Sequence, residues 1–155
     1  MALKLEFKDE LPFSAATVLE KMLDPKFIEE WTVVQRGLNP KVTLKDRNDK
    51  KAVMLIDLEE PLPVGTVKAH MTFNWDLVNS MSTWTRTAEG LAAKSKVWGN
   101  TKIAPQGEGK CLFTDEINVD IPIPLVGRKM EETVLKYLKE GRAEKMAFLR
   151  RKLGG

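Results

Sequence analysis

Residues 127–152 read GRKMEETVLKYLKEGRAEKMAFLRRK, the longest uninterrupted helical pattern in the chain. At about 100° per residue, Met130, Val134, Tyr137, Leu138, Gly141, Phe148 and Leu149 fall within an arc of roughly 120°, and most of the opposite face is charged. Gly127 and the two prolines before it mark the entry; Gly154 and Gly155 mark the exit. Two residues fit this stripe poorly. Gly141 sits mid-helix, where Gly costs about 1 kcal/mol relative to Ala. Lys145 lies near the middle of the stripe. Either Gly141 is a packing residue and Lys145 buries its stem while its head reaches water, or the stripe covers a cavity in which Gly141 leaves room for a ligand.

Upstream of this helix the chain changes period. Leu3, Leu5 and Phe7 alternate with Lys4, Glu6 and Lys8, the pattern of a half-buried strand. Ser14 is placed to cap a first helix carrying Ala15, Val18, Leu19, Met22 and Leu23. Asp24-Pro25 ends it and opens a second, short helix with Phe27, Ile28 and Trp31 on its apolar side. From about Val33 to Ile121 everything reads as strands. Asp46-Arg47-Asn48-Asp49, Pro61-Leu62-Pro63-Val64-Gly65, Asn79-Ser80, Glu89-Gly90 and Gln106-Gly107-Glu108-Gly109 supply the turns. The clearest strand, Thr66 to Val78, sets Val67, Ala69, Met71, Phe73, Trp75 and Leu77 on one face and His70 on the other. This order predicts an α+β chain in which a curved antiparallel sheet of six to seven strands is covered by the C-terminal helix, with one domain over 1–153.

The bulk numbers set limits. Hydrophobic content of 43% and charged content of 30% are globular values. A net charge of +3 is too small to imply nucleic acid. The segment 128–152 holds nine Lys/Arg against four Glu, which reads as a solvated face or a weak contact with an anionic surface. The single cysteine, Cys111, excludes an internal disulfide and fits a reducing compartment. The N-terminus has no signal-peptide pattern, and no apolar run approaches the roughly 20 residues that span a bilayer. The expectation is a cytoplasmic protein of open oligomeric state.

The element order, the Phe13-Ser14 start, the Asp24-Pro25-Lys26-Phe27 junction and the Pro122-to-Gly127 lead into the long helix resemble the START-like superfamily. That group includes pollen-allergen relatives, polyketide cyclases and lipid-transfer domains with the helix-grip fold. The resemblance implies a sheet wrapped around the last helix and a hydrophobic cavity between them. It would place Met71, Phe73, Trp75, Phe113 and Ile117 opposite Leu138 and Gly141. The superfamily shares no catalytic motif, so no catalytic residue carries over.

Few residues suggest chemistry. One His and one Cys cannot build a zinc site, and His70, on the polar face of its strand, points away from any cavity. No phosphate-binding glycine loop follows a strand, and no cofactor is implied. Arg86, beside Trp84, and Asp115, between Phe113 and Ile117, occupy apolar-parity positions. A charge removed from water needs a partner. The two read as members of a buried ion pair or, with Lys145, as groups that orient a polar ligand head. Trp98 shares its face with Lys94, Lys96 and Lys102; a bulge at Gly99 would turn it inward, and otherwise it is an exposed aromatic at a contact surface. The sequence therefore favours binding of an apolar or amphipathic small molecule: a lipid, sterol or polyketide-like compound. The alternatives are a cyclase or hydratase using Asp115 as acid/base with Arg86 as electrostatic partner, and a co-chaperone-like module that uses its outer surface.

Overall fold

The computed structural model describes residues 3–62, 65–90, 93–122 and 127–154. Pro63 and Val64 of one expected turn, and Ile123 to Val126 of the lead into the last helix, lie outside them. Strand β1 (Leu3–Leu11) is followed by α1 (Ala15–Met22) and α2 (Pro25–Val34). Then come β2 (Leu38–Lys45), β3 (Lys51–Leu62), β4 (Gly65–Asp76), β5 (Met81–Ala88), β6 (Lys96–Pro105) and β7 (Cys111–Asp120). Helix α3 (Gly127–Gly154) closes the chain. The seven strands form one antiparallel sheet in the order β1-β7-β6-β5-β4-β3-β2, so the fold is the α+β helix grip.

Local chemistry sets the element ends. Ser14 Oγ accepts from the Thr17 amide at 3.2 Å and caps α1. Asp24 Oδ1 accepts from the Lys26 amide at 3.0 Å, and Pro25 occupies the first position of α2. Asn48 Oδ1 takes the Lys50 and Lys51 amides at 2.8 and 3.0 Å, which turns β2 into β3.

Strand alternation then sorts the two faces. In β7 every second side chain, from Cys111 to Val119, is buried. Trp75 is 4% exposed, whereas His70, on the other parity of β4, is exposed. Pairing across β5, β6 and β7 runs through Gly99 without a register shift. There is no bulge in this run, and Trp98 points outward. Gly99 itself is required by close packing: a Cβ there would lie 1.9 Å from the Glu116 carbonyl oxygen.

The inner face holds two apolar clusters. The larger joins α1, α2 and the sheet to Met146, Phe148 and Leu149 at the C-terminal half of α3. The smaller contains Trp84, Ile117, Val119 and Ile121, with Val134, Leu135 and Leu138 of α3 against it. Met71 and Phe73 touch both.

Helix α3 is rotated from its expected setting. Met130 and Tyr137 are 38% and 40% exposed, while Glu131 and Arg142 are buried. The reason is pairing. Glu131 Oε2 accepts from the Ile121 amide at 2.7 Å, and Arg142 reaches two carboxylates of the sheet, so both polar groups are satisfied inside.

Candidate functional site

Sheet register decides which side chains meet beneath α3. Three adjacent inward rows carry the expected residues: Met71 opposite Arg86, Phe73 opposite Trp84, and Trp75 opposite Ser82. Ser82 continues across Thr101 to Asp115 and Phe7. Arg86 and Asp115 are therefore two rows and two strands apart, about 13 Å along the strands and about 10 Å across them. They do not pair. Each has its own partner.

Arg86 extends along the inner face and donates from Nε and Nη2 to both oxygens of Glu60, the first at 2.7 Å. The two-toothed geometry is the strong form of an arginine–carboxylate pair. Nearby, Tyr137 donates to the Gln35 carbonyl at 3.0 Å, and the Arg36 guanidinium lies 5.2 Å from the centre of its ring.

Asp115 is the hub of the second polar group. Its Oδ1 accepts from Thr101 Oγ1 at 2.6 Å. Its Oδ2 accepts from Arg142 Nη1 at 2.5 Å and from Lys145 Nζ at 3.4 Å. Arg142 also donates from Nε and Nη2 to Asp9 Oδ2, at 2.9 and 2.6 Å. Its guanidinium rests 4.7 Å from the Phe7 ring centre and 5.6 Å from that of Phe113. Two carboxylates thus face two cations in a largely apolar setting, where an unpartnered charge would be expensive.

The groups in this cluster titrate unequally. Burial works to raise the Asp115 carboxyl, but Lys145, Arg142 and Thr101 together hold it below its usual value. Burial pulls the Lys145 amine down, and the single long contact with Asp115 does not restore it. The asymmetry follows from coordination: three donors converge on Asp115, while Lys145 has one acceptor and the face of Trp31 at 4.7 Å. Lys145 retains 19% side-chain exposure and Asp9 23%, whereas Arg142 and Asp115 keep 9% and 6%.

The apolar residues divide between the two clusters. Trp84, Ile117 and Leu138 belong with the smaller one, where Met71 and Phe73 also pack. Trp75 and Phe113 are deep in the larger one with Trp31, not opposite Leu138. Met71, Phe73 and Leu138 are only half-buried. A Cβ built on Gly141, itself half-buried, would meet nothing within 4 Å, so there is open space beside α3 at that position.

Asp9, Glu60, Thr101 and Arg142 are absent from the sequence-based expectation. Asp9 has the inward parity of Phe7 and Leu11, Thr101 directly opposes Asp115, and Arg142 lies one turn from both Leu138 and Lys145. Those three signals are present in the chain. Among the described residues, no group of three or more His, Cys, Asp or Glu is placed to hold a metal ion, and no helix is long and apolar enough to cross a membrane.

Comparison with known proteins fits this architecture. The Zhui aromatase/cyclase from Streptomyces sp. R1128 superposes with a TM-score of 0.74 at 8% identity, over 99% of this chain and 94% of that one. A protein from Thermus thermophilus gives 0.72 at 13% identity, over 97% of each chain. A START superfamily protein from Mycobacterium smegmatis gives 0.65 at 12% identity, again over 97% of each. At such identities the likeness establishes the START-like helix-grip fold. No curated protein matches the sequence. Residues 6–153 match the family described as "Protein of unknown function (DUF2505)", and the chain belongs to that family.

Proposed function

We propose that the chain binds an apolar or amphipathic small molecule between α3 and the concave face of the sheet. The observation that carries this reading is the open flank at Gly141 beside inward-facing side chains that remain half-buried. A filled core would bury Met71, Phe73 and Leu138 and would use the helix position at Gly141 for packing. Met and Phe side chains suit adaptable apolar contact, and burial of the ligand would drive uptake. The Arg86–Glu60 pair stands at one end of this stretch and Lys145 at the other, so a polar ligand end has a partner.

The polar cluster favours binding over acid/base turnover through Asp115. That carboxylate is fixed by Thr101, Arg142 and Lys145 and held ionised, whereas a general acid/base needs a value near the working pH. An enzymatic reading would run through the Lys145 amine instead. Titration with Nile red tests the binding reading. The unmodified protein is expected to give saturable fluorescence, and Gly141→Phe to abolish it while unfolding remains cooperative. A protein that never takes up the dye, with a Gly141→Phe variant that fails to fold, would sink the proposal.

A further inference from the structure

The outer face of the sheet carries a feature that the inner site does not use. Trp98 projects from β6 and is 37% exposed, the one exposed large apolar side chain among the described residues on the outer face of β4 to β7. Register places Thr85 and Asn118 on either side of it. The next outward row reads Asn74, Thr83, Asn100, Glu116. Between these side chains lies a depression of about 330 Å³ that reaches the strand backbone at Gly99.

The composition of this depression is specific. Each Asn amide offers donors and an acceptor, and each Thr hydroxyl offers both. Among the described residues, Asn74, Asn100, Thr83 and Thr85 spend none of these on side-chain hydrogen bonds within the chain, and Asn118 makes one long contact, 3.4 Å to the Trp98 carbonyl. The charge is nearly cancelled: Glu116 is matched by Lys4 at 3.4 Å. A phosphate-bearing ligand would call for unpaired cations in these rows, yet Lys4, beside Asn118, is taken by Glu116, and Lys96 and Lys102 lie one row out on either side. A protein interface would be centred on clustered apolar anchors, and on this face of β4 to β7 Trp98 is the one exposed large apolar side chain among the described residues, with Met81 and Leu112 half-buried. One aromatic face ringed by neutral groups that both donate and accept matches a molecule with an apolar C–H face and a rim of hydroxyls.

We propose that this depression is a saccharide-binding platform, in which the indole of Trp98 packs against the C–H face of a neutral pyranose. Asn74, Asn100, Asn118, Thr83 and Thr85 then bond its hydroxyls. The site is independent of the ligand site proposed beneath α3, because the two lie on opposite faces of the sheet.

The test is a titration of the ¹⁵N-labelled chain with cellotetraose, maltotetraose and the tetramer of N-acetylglucosamine, each to about 10 mM, since a shallow polar site binds weakly. Saturable shifts of the Trp98 indole N–H and the Asn100 amide are expected for at least one saccharide. Trp98→Ala should weaken that binding at least about tenfold. Its unfolding transition and its uptake of Nile red should match those of the unmodified protein. Asn100→Ala should weaken binding less. Absence of saturable shifts with all three saccharides overturns the proposal. So does binding that Trp98→Ala leaves unchanged, or tighter binding of a short oligothymidylate to the same residues, which would make the face a nucleic-acid surface.

Discussion

Arg142 of α3 and Asp115 of β7, both buried, are joined by a 2.5 Å hydrogen bond from Nη1 to Oδ2. The same guanidinium holds Asp9 of β1, so one side chain ties the helix to two neighbouring strands. Removing the cation would leave two inward carboxylates short of a partner. Arg142→Met is therefore expected to cost about 3–5 kcal/mol in urea unfolding. Adding Asp9→Asn and Asp115→Asn to that variant should recover part of the loss, because the uncompensated charges are gone. A cost below about 1 kcal/mol would show that the cluster is solvated.

Lys145 behaves differently. Its folded-state value is lowered from 10.5, so below that value the unfolded chain holds its proton more readily than the folded one. Stability should rise as pH climbs through the window between the folded value and 10.5. Asp115 acts with the same sign in the acid range. Its folded value lies below 3.8, so its contribution is present above 3.8 and disappears as pH falls through the folded value. Lys145→Met should flatten the alkaline rise and also reduce the acid limb, because Lys145 is the first of the groups that hold Asp115 below its usual value. It should also cost less than Arg142→Met, since Asp115 keeps Arg142 and Thr101. Urea unfolding across the pH range reads both limbs; an alkaline limb that Lys145→Met leaves intact would rule out this origin.

His70 supplies a solvent-side counterpart. Its Nδ1 lies 2.7 Å from Asp57 and its Nε2 3.3 Å from Glu89. The hydrogen bond with Asp57 raises its value above 6.5; slight burial opposes this and Glu89 reinforces it. An NMR titration of the ring protons should place the midpoint above 6.5, and Asp57→Asn should bring it down. The stability it contributes is complete below 6.5 and is lost as pH rises through the folded value. The pair is exposed, so that contribution is small. A midpoint at or below 6.5 in the unmodified protein would mean that the two carboxylates do not hold the ring.

Where a residue's chemistry agrees with its position, the sequence is legible. Period-two alternation from Val67 to Leu77 gives the face of Trp75, and the caps at Ser14 and Asp24 give the start of each short helix. The interior charges are harder to read. Arg142 and Asp9 are separated by 133 residues, and nothing local marks a charged side chain as one whose partner lies across the fold. Apolar content alone centres the stripe of α3 toward Met130 and Tyr137. The helix turns instead to the side where Glu131 and Arg142 find partners, because a satisfied buried polar group anchors orientation as firmly as a methyl group does. For Trp98 the sequence allows two orientations, and only the unbroken register past Gly99 resolves them.

Gly141 gives the last prediction. Glycine in a helix interior costs about 1 kcal/mol relative to alanine, chiefly through backbone entropy. That cost is recoverable only where a methyl group fits, and here it would meet nothing within 4 Å. Gly141 also lies within the regular run of α3 with no left-handed backbone angle to protect. Gly141→Ala should therefore stabilise the ligand-free protein by about 1 kcal/mol, seen as a higher urea midpoint with an unchanged slope. Small as it is, the methyl group should leave Nile red uptake nearly intact, in contrast to the phenyl ring of Gly141→Phe. If Gly141→Ala lowers the midpoint instead, a neighbour closes on that flank in solution, and the open space beside α3 on which the binding reading rests is lost.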